Sequence, residues 1–327
     1  MRKWRSWLAA PIVGALLSVP LAAPLYAAPS PFISSCTTIT SPGAYVVTKD
    51  ITATATDFVC IDIKTPGVTL VLGGHTVTGS IESANNDVGI LIESKATGAT
   101  VVNGTVTGFG FGIWAAASGA KIQLVTADDN FIGILMGVVE SATPINGNTV
   151  AHIQANDNVW VGIALFNTIN SVVASSSAND NGLDGIVLGQ RTSQDRVSAN
   201  TANNNLDETT APVKPALRST LAAIIPSANS QDSASFFGNG IADFGNQNTI
   251  AGNTVSNNDN DGIVVFNTVE GNTAFGTQNS ILGNHGSNDG NFDLFDDNTN
   301  CDSNVWVGNS GTRNLLPANT GKLTCIG

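Results

Sequence analysis

A glycine followed by mostly apolar residues recurs seven times in this chain: GILI at Gly89–Ile92, GIWA at Gly112–Ala115, GILM at Gly133–Met136, GIAL at Gly162–Leu165, GIVL at Gly185–Leu188, GIAD at Gly240–Asp243 and GIVV at Gly262–Val265. The steps between the leading glycines are 23, 21, 29, 23, 55 and 22 residues. A second block, led by Asn or Asp, starts at Asn148, Asn170, Asp195, Asn248 and Asn279, so each period marks at least two short strands. The blocks alternate apolar with small or polar residues, which is the strand period, and Gly, Asn and Asp clusters bound them. Strands this short cannot each bury a face alone. Coiling the chain so that equivalent strands stack in parallel gives one continuous apolar column, so the repeat predicts an all-β parallel solenoid of about ten coils.

The residues between the blocks fit that reading. The chain has 36 Asn and 34 Gly in 327 residues, with no Asn before Asn85. Runs such as Asn179–Asn181, Asn203–Asn205 and Asn257–Asn260 fall at equivalent corners, where stacked amides can hydrogen-bond along the axis and Asn tolerates left-handed backbone. Charged residues make up only 12%, the net charge is −12 and the pI is near 4.4, which argues against a nucleic-acid partner.

Arg2, Lys3 and Arg5, the apolar run from Trp7 to Leu25 and the small residues Ala27 and Ala28 have the pattern of an export signal over residues 1–28. Pro11, Pro20 and Pro24 interrupt the run, which argues against a retained anchor, and no second apolar span follows. The expected location is secreted or periplasmic, where disulfides form. Cys36 and Cys60 lie near one end, Cys301 and Cys325 near the other, and pairing within each end would fasten a terminal element for ~3 kcal/mol. A zinc site is the rival, but no Cys has the spacing or the adjacent His it needs.

Cys36 through Gly79 (CTTITSPGAYVVTKDI…CIDIKTPGVTLVLGGHTVTG) and Asn291 through Ile326 (NFDLFDDNTNCDSNVWVGN…LTCI), taken with the repeat, resemble the right-handed parallel β-helix proteins of the pectin-lyase-like class. The likeness is to bacterial repeat proteins grouped with carbohydrate-binding and sugar-hydrolase domains. It implies a single-stranded right-handed β-helix, with an N-terminal cap over 29–60, coils over 61–300 and a closure over 301–327. It implies little about activity, because the architecture hosts lyases, hydrolases, epimerases, adhesins and proteins of no known activity.

Chemistry has few footholds. The 55-residue step contains a Pro-interrupted insertion, about 206–236, with a short amphipathic helix expected around Ala216–Ile225; such an excursion can wall a groove or simply be surface drift. Aligned on the strand glycine, Asp184, Asn239 and Asp261 share one column, where earlier coils carry Val88, Phe111, Ile132 and Val161. Coils ~4.8 Å apart would set the two Asp about 9.6 Å apart at Cα, close to the carboxyl spacing of inverting glycosidases. The expectation is Asp184 and Asp261 as acid and base, with Asn239, Arg191 and Arg196 binding an anionic sugar; the rival is turn-capping in an Asn/Asp-rich solenoid. Asp293, Asp296, Asp297 and Asp302 form the densest acidic group and the first candidate for Ca²⁺. Asp128, Asp129, Asp157, Asp180, Asp259 and Asp289 read as turn formers that could also ligate calcium.

His75, His152 and His285 share no spacing and read as turn or edge residues. The signatures of polygalacturonases and alginate epimerases are absent. Trp114, Phe131, Trp160, Phe166, Phe244, Phe266 and Trp306 recur near the strands, and Phe166, Phe244 and Phe266 each follow their glycine by four positions, as a short aromatic stack would. Three functions fit: binding of a polysaccharide or cell-envelope glycan along the solenoid, hydrolysis or lysis of a polysaccharide at the Asp184/Asp261 groove, and a structural or adhesive surface role.

Overall fold

The computed structural model describes residues 31–54, 57–79, 87–138, 143–207, 237–266, 268–270, 273–297 and 303–315. The expected export signal, the expected helix around 216–225, Cys301, Asp302 and Cys325 lie outside them. The described residues form no α-helix, and none is part of a helix long and apolar enough to cross a membrane.

The chain coils into two long stacks of strands. We call them sheet A, with 13 strands, and sheet B, with 11. The glycine blocks build sheet B, and its pairing reproduces the sequence period: Val88↔Phe111, Phe111↔Ile132, Ile132↔Val161, Ile163↔Ile186, Ile186↔Ile241 and Ile241↔Ile263. The 55-residue step is therefore crossed without a change of register. The strand Ile186–Leu188 is followed by Arg196–Ser198 in sheet A and by Thr201–Asn203 on a third face, so this coil has one strand more than the two blocks mark. Among the described strands one pair is antiparallel, Thr268–Glu270 with Thr273–Phe275.

Inside the coils, Ile90, Ile113, Ile134, Ile163, Ile186, Ile241, Ile263 and Leu294 line sheet B's inner row, all fully buried. Val101, Ile122, Val150, Val173, Val197, Ile250, Ile281 and Trp306 face them from sheet A. Burying each such side chain contributes about 1.5–3 kcal/mol, so this column holds the coils together. The repeated glycine follows from space. A Cβ on Gly185 would lie 2.7 Å from the Ala178 carbonyl oxygen, 2.7 Å from that of Gly240 and 2.8 Å from the Asn205 side-chain nitrogen.

Three corners close the coil, and each uses one pattern. A residue in left-handed backbone, such as Asp180, Gln194 or Ala199, is followed by a buried Asn, Asp or Ser whose side chain bonds along the axis. One six-residue ladder runs Asn130, Asn158, Asn181, Asn205, Asn258, Asp289: each backbone N–H donates to the side-chain oxygen one coil on, at 2.9–3.1 Å. Corner N–H groups that no strand could satisfy are paired this way. The expected stacking of the Asn runs is what the structure shows, and His152 is one of the left-handed corner residues. At the N-terminal end Cys36 and Cys60 form a disulfide, Cα–Cα 4.3 Å, across the paired strands Thr37–Ile39 and Val59–Ile63.

Candidate functional site

The outer face of sheet B is apolar rather than solvent-like. Its central row, Leu135, Ala164, Val187, Ala242 and Val264, is buried in a second hydrophobic cluster with Phe111, Phe131, Trp160, Leu183, Phe237, Phe244 and Phe266. Most of the expected aromatics therefore lie outside the bore, while Trp306 lies within it. Phe244 and Phe266 stack at 4.5 Å and 17°. Phe166 does not join them, because Gly189 occupies the intervening coil of that column, next to the paired Leu188 and Asp243.

The Asp184 column is real and is itself a ladder. Asn239 donates its N–H (2.9 Å) and side-chain amide (3.0 Å) to Asp184 Oδ1, Asp261 donates its N–H to Asn239 Oδ1 (3.1 Å), and Phe292 donates its N–H to Asp261 Oδ1 (3.0 Å). The two Asp are two coils apart, as the spacing implies, but their surroundings differ. Asp184 is sealed, 0% exposed, and its Oδ2 is buried without a hydrogen-bond partner. Burial, with the charges of Asp207 and Asp261, pushes its carboxyl up to about 7 against the bonds from Asn239.

Asp261 opens onto a cleft of ≈ 310 Å³ with Asn260, Phe266, Asn291, Phe292, Phe295 and Asp297. The residue is 3% exposed, and its Oδ1 accepts from the Phe292 N–H. Burial, then the charges of Asp289 and Asp297, pushes this carboxyl up to about 7. Phe295 pairs with Val264, so it stands in the central outer row; Asp261 precedes this strand pair and Asp297 follows it, and both line the cleft with Phe295. Phe292 and Phe295 are half-buried, ring centroids 5.2 Å apart. Asn291 donates its side-chain amide to Asn260 Oδ1, fixing the rim.

The other expected site residues are spread over the molecule. Asn239 is fully buried between the two Asp. Arg196 is exposed on sheet A, bonded to Ser198, and Arg191 sits in an exposed left-handed turn, so neither joins the Asp184/Asp261 column or the cleft. The described members of the acidic group do not converge on a point: Asp293 accepts from Thr312, Arg313 and Asp289, and Asp296 accepts from Asn304 and Trp306. No metal-binding group is formed among the described residues. His75 meets Asp50 at 3.2 Å and His285 meets Ser310 at 2.8 Å, both exposed.

Phe292, Phe295 and the cleft position of Asp297 escape a glycine-based alignment. The coil Phe292–Asp297 repeats Asp261–Phe266, but Asp293 replaces the leading glycine. The signal available was the outward phenyl at the second position after that break.

No protein-family model matches this chain and no curated protein matches it. Among solved structures it is similar to the Dettilon tailspike protein, with 15% identity, a TM-score of 0.55 and coverage of 86% of this chain and 54% of that one. It is similar also to the enzymatically active domain of tailspike protein 2 of bacteriophage CBA120, with 12% identity, a TM-score of 0.55 and coverage of 82% and 38%. The chain thus spans about half the length of the first and less of the second. What it shares with them is the fold: this chain is a right-handed parallel β-helix.

Proposed function

We propose that this chain binds a glycan at the outer face of sheet B, outside the cytoplasm, with a sugar ring seated in the Asp261 cleft. The observation that carries the reading is the composition of that cleft. Two half-buried phenyl rings offer flat apolar faces for the C–H side of a pyranose, and Asn260, Asn291, Asp261 and Asp297 offer amide and carboxylate partners for its hydroxyls. The Cys36–Cys60 bridge fits an oxidising compartment, as the leader-like first 28 residues do. One of the similar tailspike structures is described as an enzymatically active domain, so the fold is compatible with chemistry on its surface; what this cleft does is argued from its own residues.

Affinity electrophoresis through gels containing single polysaccharides tests the proposal. Retardation is expected with at least one, weakened at least tenfold in Phe295→Ala and unchanged in Leu124→Ala, an exposed residue away from the cleft. Equal migration in every gel would reject the reading.

A further inference from the structure

We infer that the cleft is hydrolytic, cutting a neutral glycan with Asp261 as general acid and Asp297 as general base. The inference rests on the glycan reading above and adds the reaction, the pair and the substrate class. Asp184, the partner suggested by the column, is sealed from solvent, whereas Asp297 lines the cleft with Phe295. A ring lying on Phe295 would have one acid at each side of its glycosidic bond.

The environment separates the two roles. Asp261 is almost wholly buried, lines the cleft, and has one oxygen fixed by the Phe292 N–H. Burial, Asp289 and Asp297 all favour its neutral form, the state a proton donor needs. Asp297 is partly exposed and lines the same cleft. In the step, Asp261 gives its proton to the bridging oxygen as the bond from that oxygen to the anomeric carbon breaks. Water forms the new bond to that carbon, and the proton it loses passes to Asp297. The products are two shorter glycans, one with a new reducing end, and proton exchange with solvent resets the pair. Both carboxyls oppose an anionic sugar, and among the described lining residues there is no Lys, Arg or His to offset them. The substrate is therefore neutral, unlike the anionic sugar that Arg191 and Arg196 suggest.

The test uses the full chain freed of its first 28 residues, incubated with xylan, mannan, β-glucan, galactan and starch, and with polygalacturonate and alginate. Reducing ends and unsaturated-uronate absorbance are read, and retention is measured on the same polymers. Reducing ends are expected from at least one neutral polymer, with rates falling about 10²–10⁴-fold in both Asp261→Asn and Asp297→Asn and unchanged in Leu124→Ala, away from the cleft. Both substitutions are isosteric, and a Tm no lower than wild type excludes misfolding. Asp261→Asn should also remove the loss of rate above pH ~7 that deprotonation of the acid imposes. Retention without cleavage would overturn the hydrolytic inference and leave the binding proposal standing; neither would overturn both. Cleavage insensitive to Asp297→Asn, or unsaturated products, would overturn the assigned pair and reaction.

Discussion

The N-terminal coils and the C-terminal coils solve the same problem differently. From Val88 to Phe166 the sheet B strands run five or six residues: Val88–Ile92, Phe111–Ala115, Ile132–Gly137 and Val161–Phe166. From Ile186 onward they shrink to three residues at Ile186–Leu188, Ile241–Asp243, Ile263–Val265 and Leu294–Asp296, and to two at Asn314–Leu315. Shorter strands leave more backbone N–H groups outside the sheet pairing, and side-chain ladders take them over. The later coils accordingly carry buried Asp184, Asp195, Asp243, Asp261, Asp289, Asp293 and Asp296, two of them in the positions after an inner-row residue where earlier coils place Ala115, Met136 and Leu165. The corner Asn ladders run through both halves, and the later coils add most of the buried carboxyls to them.

The largest effect should come from the apolar column. Ile113→Ala removes a fully buried side chain between Ile90 and Ile134 and should cost about 2–5 kcal/mol, read by denaturant unfolding. Next is the Cys36–Cys60 bridge. Reduction, or Cys36→Ser with Cys60→Ser, should cost ~3 kcal/mol in the chain-entropy picture. Faster hydrogen exchange should appear in Thr37–Ile39 and Gly43–Val47 and not in the coils after Ile186; uniform acceleration would show that the bridge governs the whole solenoid.

The polar ladder is broken at Asn205. Its Oδ1 accepts the Asn181 N–H and side-chain amide, and its own amide donates to Asn258. Asn205→Ala leaves those buried groups unpaired and should cost about 1–3 kcal/mol, with Asn205→Asp closer to wild type at low pH than at high pH. A neutral result would mean that the ladder decorates an already sufficient core.

These contrasts explain what was legible in the sequence. The glycine period was readable because a Cβ at Gly185 has nowhere to go, and the Asn corners because each left-handed residue and the ladder residue after it recur together. The last sheet B coil was hidden where Asp293 replaces glycine, and with it the place of Phe295 and Asp297. The third strand of a coil, as at Thr201–Asn203, is short and polar and resembles a turn. The column of Asp184 and Asp261 was readable, but not that one is sealed and the other opens onto a cleft; that depends on what packs over the outer face, where Leu183 and Phe237 are buried.

The smallest effect gives the comparison a sign. In the N-terminal coils Asp50 is held below the usual range by the Thr76 N–H and then His75, and Asp57 by the Thr54 N–H and hydroxyl. A lowered carboxyl stabilises the fold above its unfolded pKa and loses that contribution as pH falls through the folded value. At Asp184 and Asp243 in the C-terminal coils the sign is reversed. Asp184 and Asp243 each offer Oδ1 to two donors and bury Oδ2 without a hydrogen bond, which suits a neutral acid better than an anion. Burial is the main cause that pushes both up to about 7. The unfolded chain, with ordinary carboxyls near 3.8, binds fewer protons than the folded one between there and pH 7. Stability should therefore rise as pH falls from 7 toward 5, by roughly 1–2 kcal/mol per group, and be lost as pH rises through 7. Tm at pH 5 should exceed Tm at pH 8, and Asp184→Asn or Asp243→Asn should raise Tm at pH 8 while narrowing the gap. A Tm lower at pH 5, with either substitution destabilising at pH 8, would mean that these carboxyls are folded as anions and that the C-terminal framework is ionic after all.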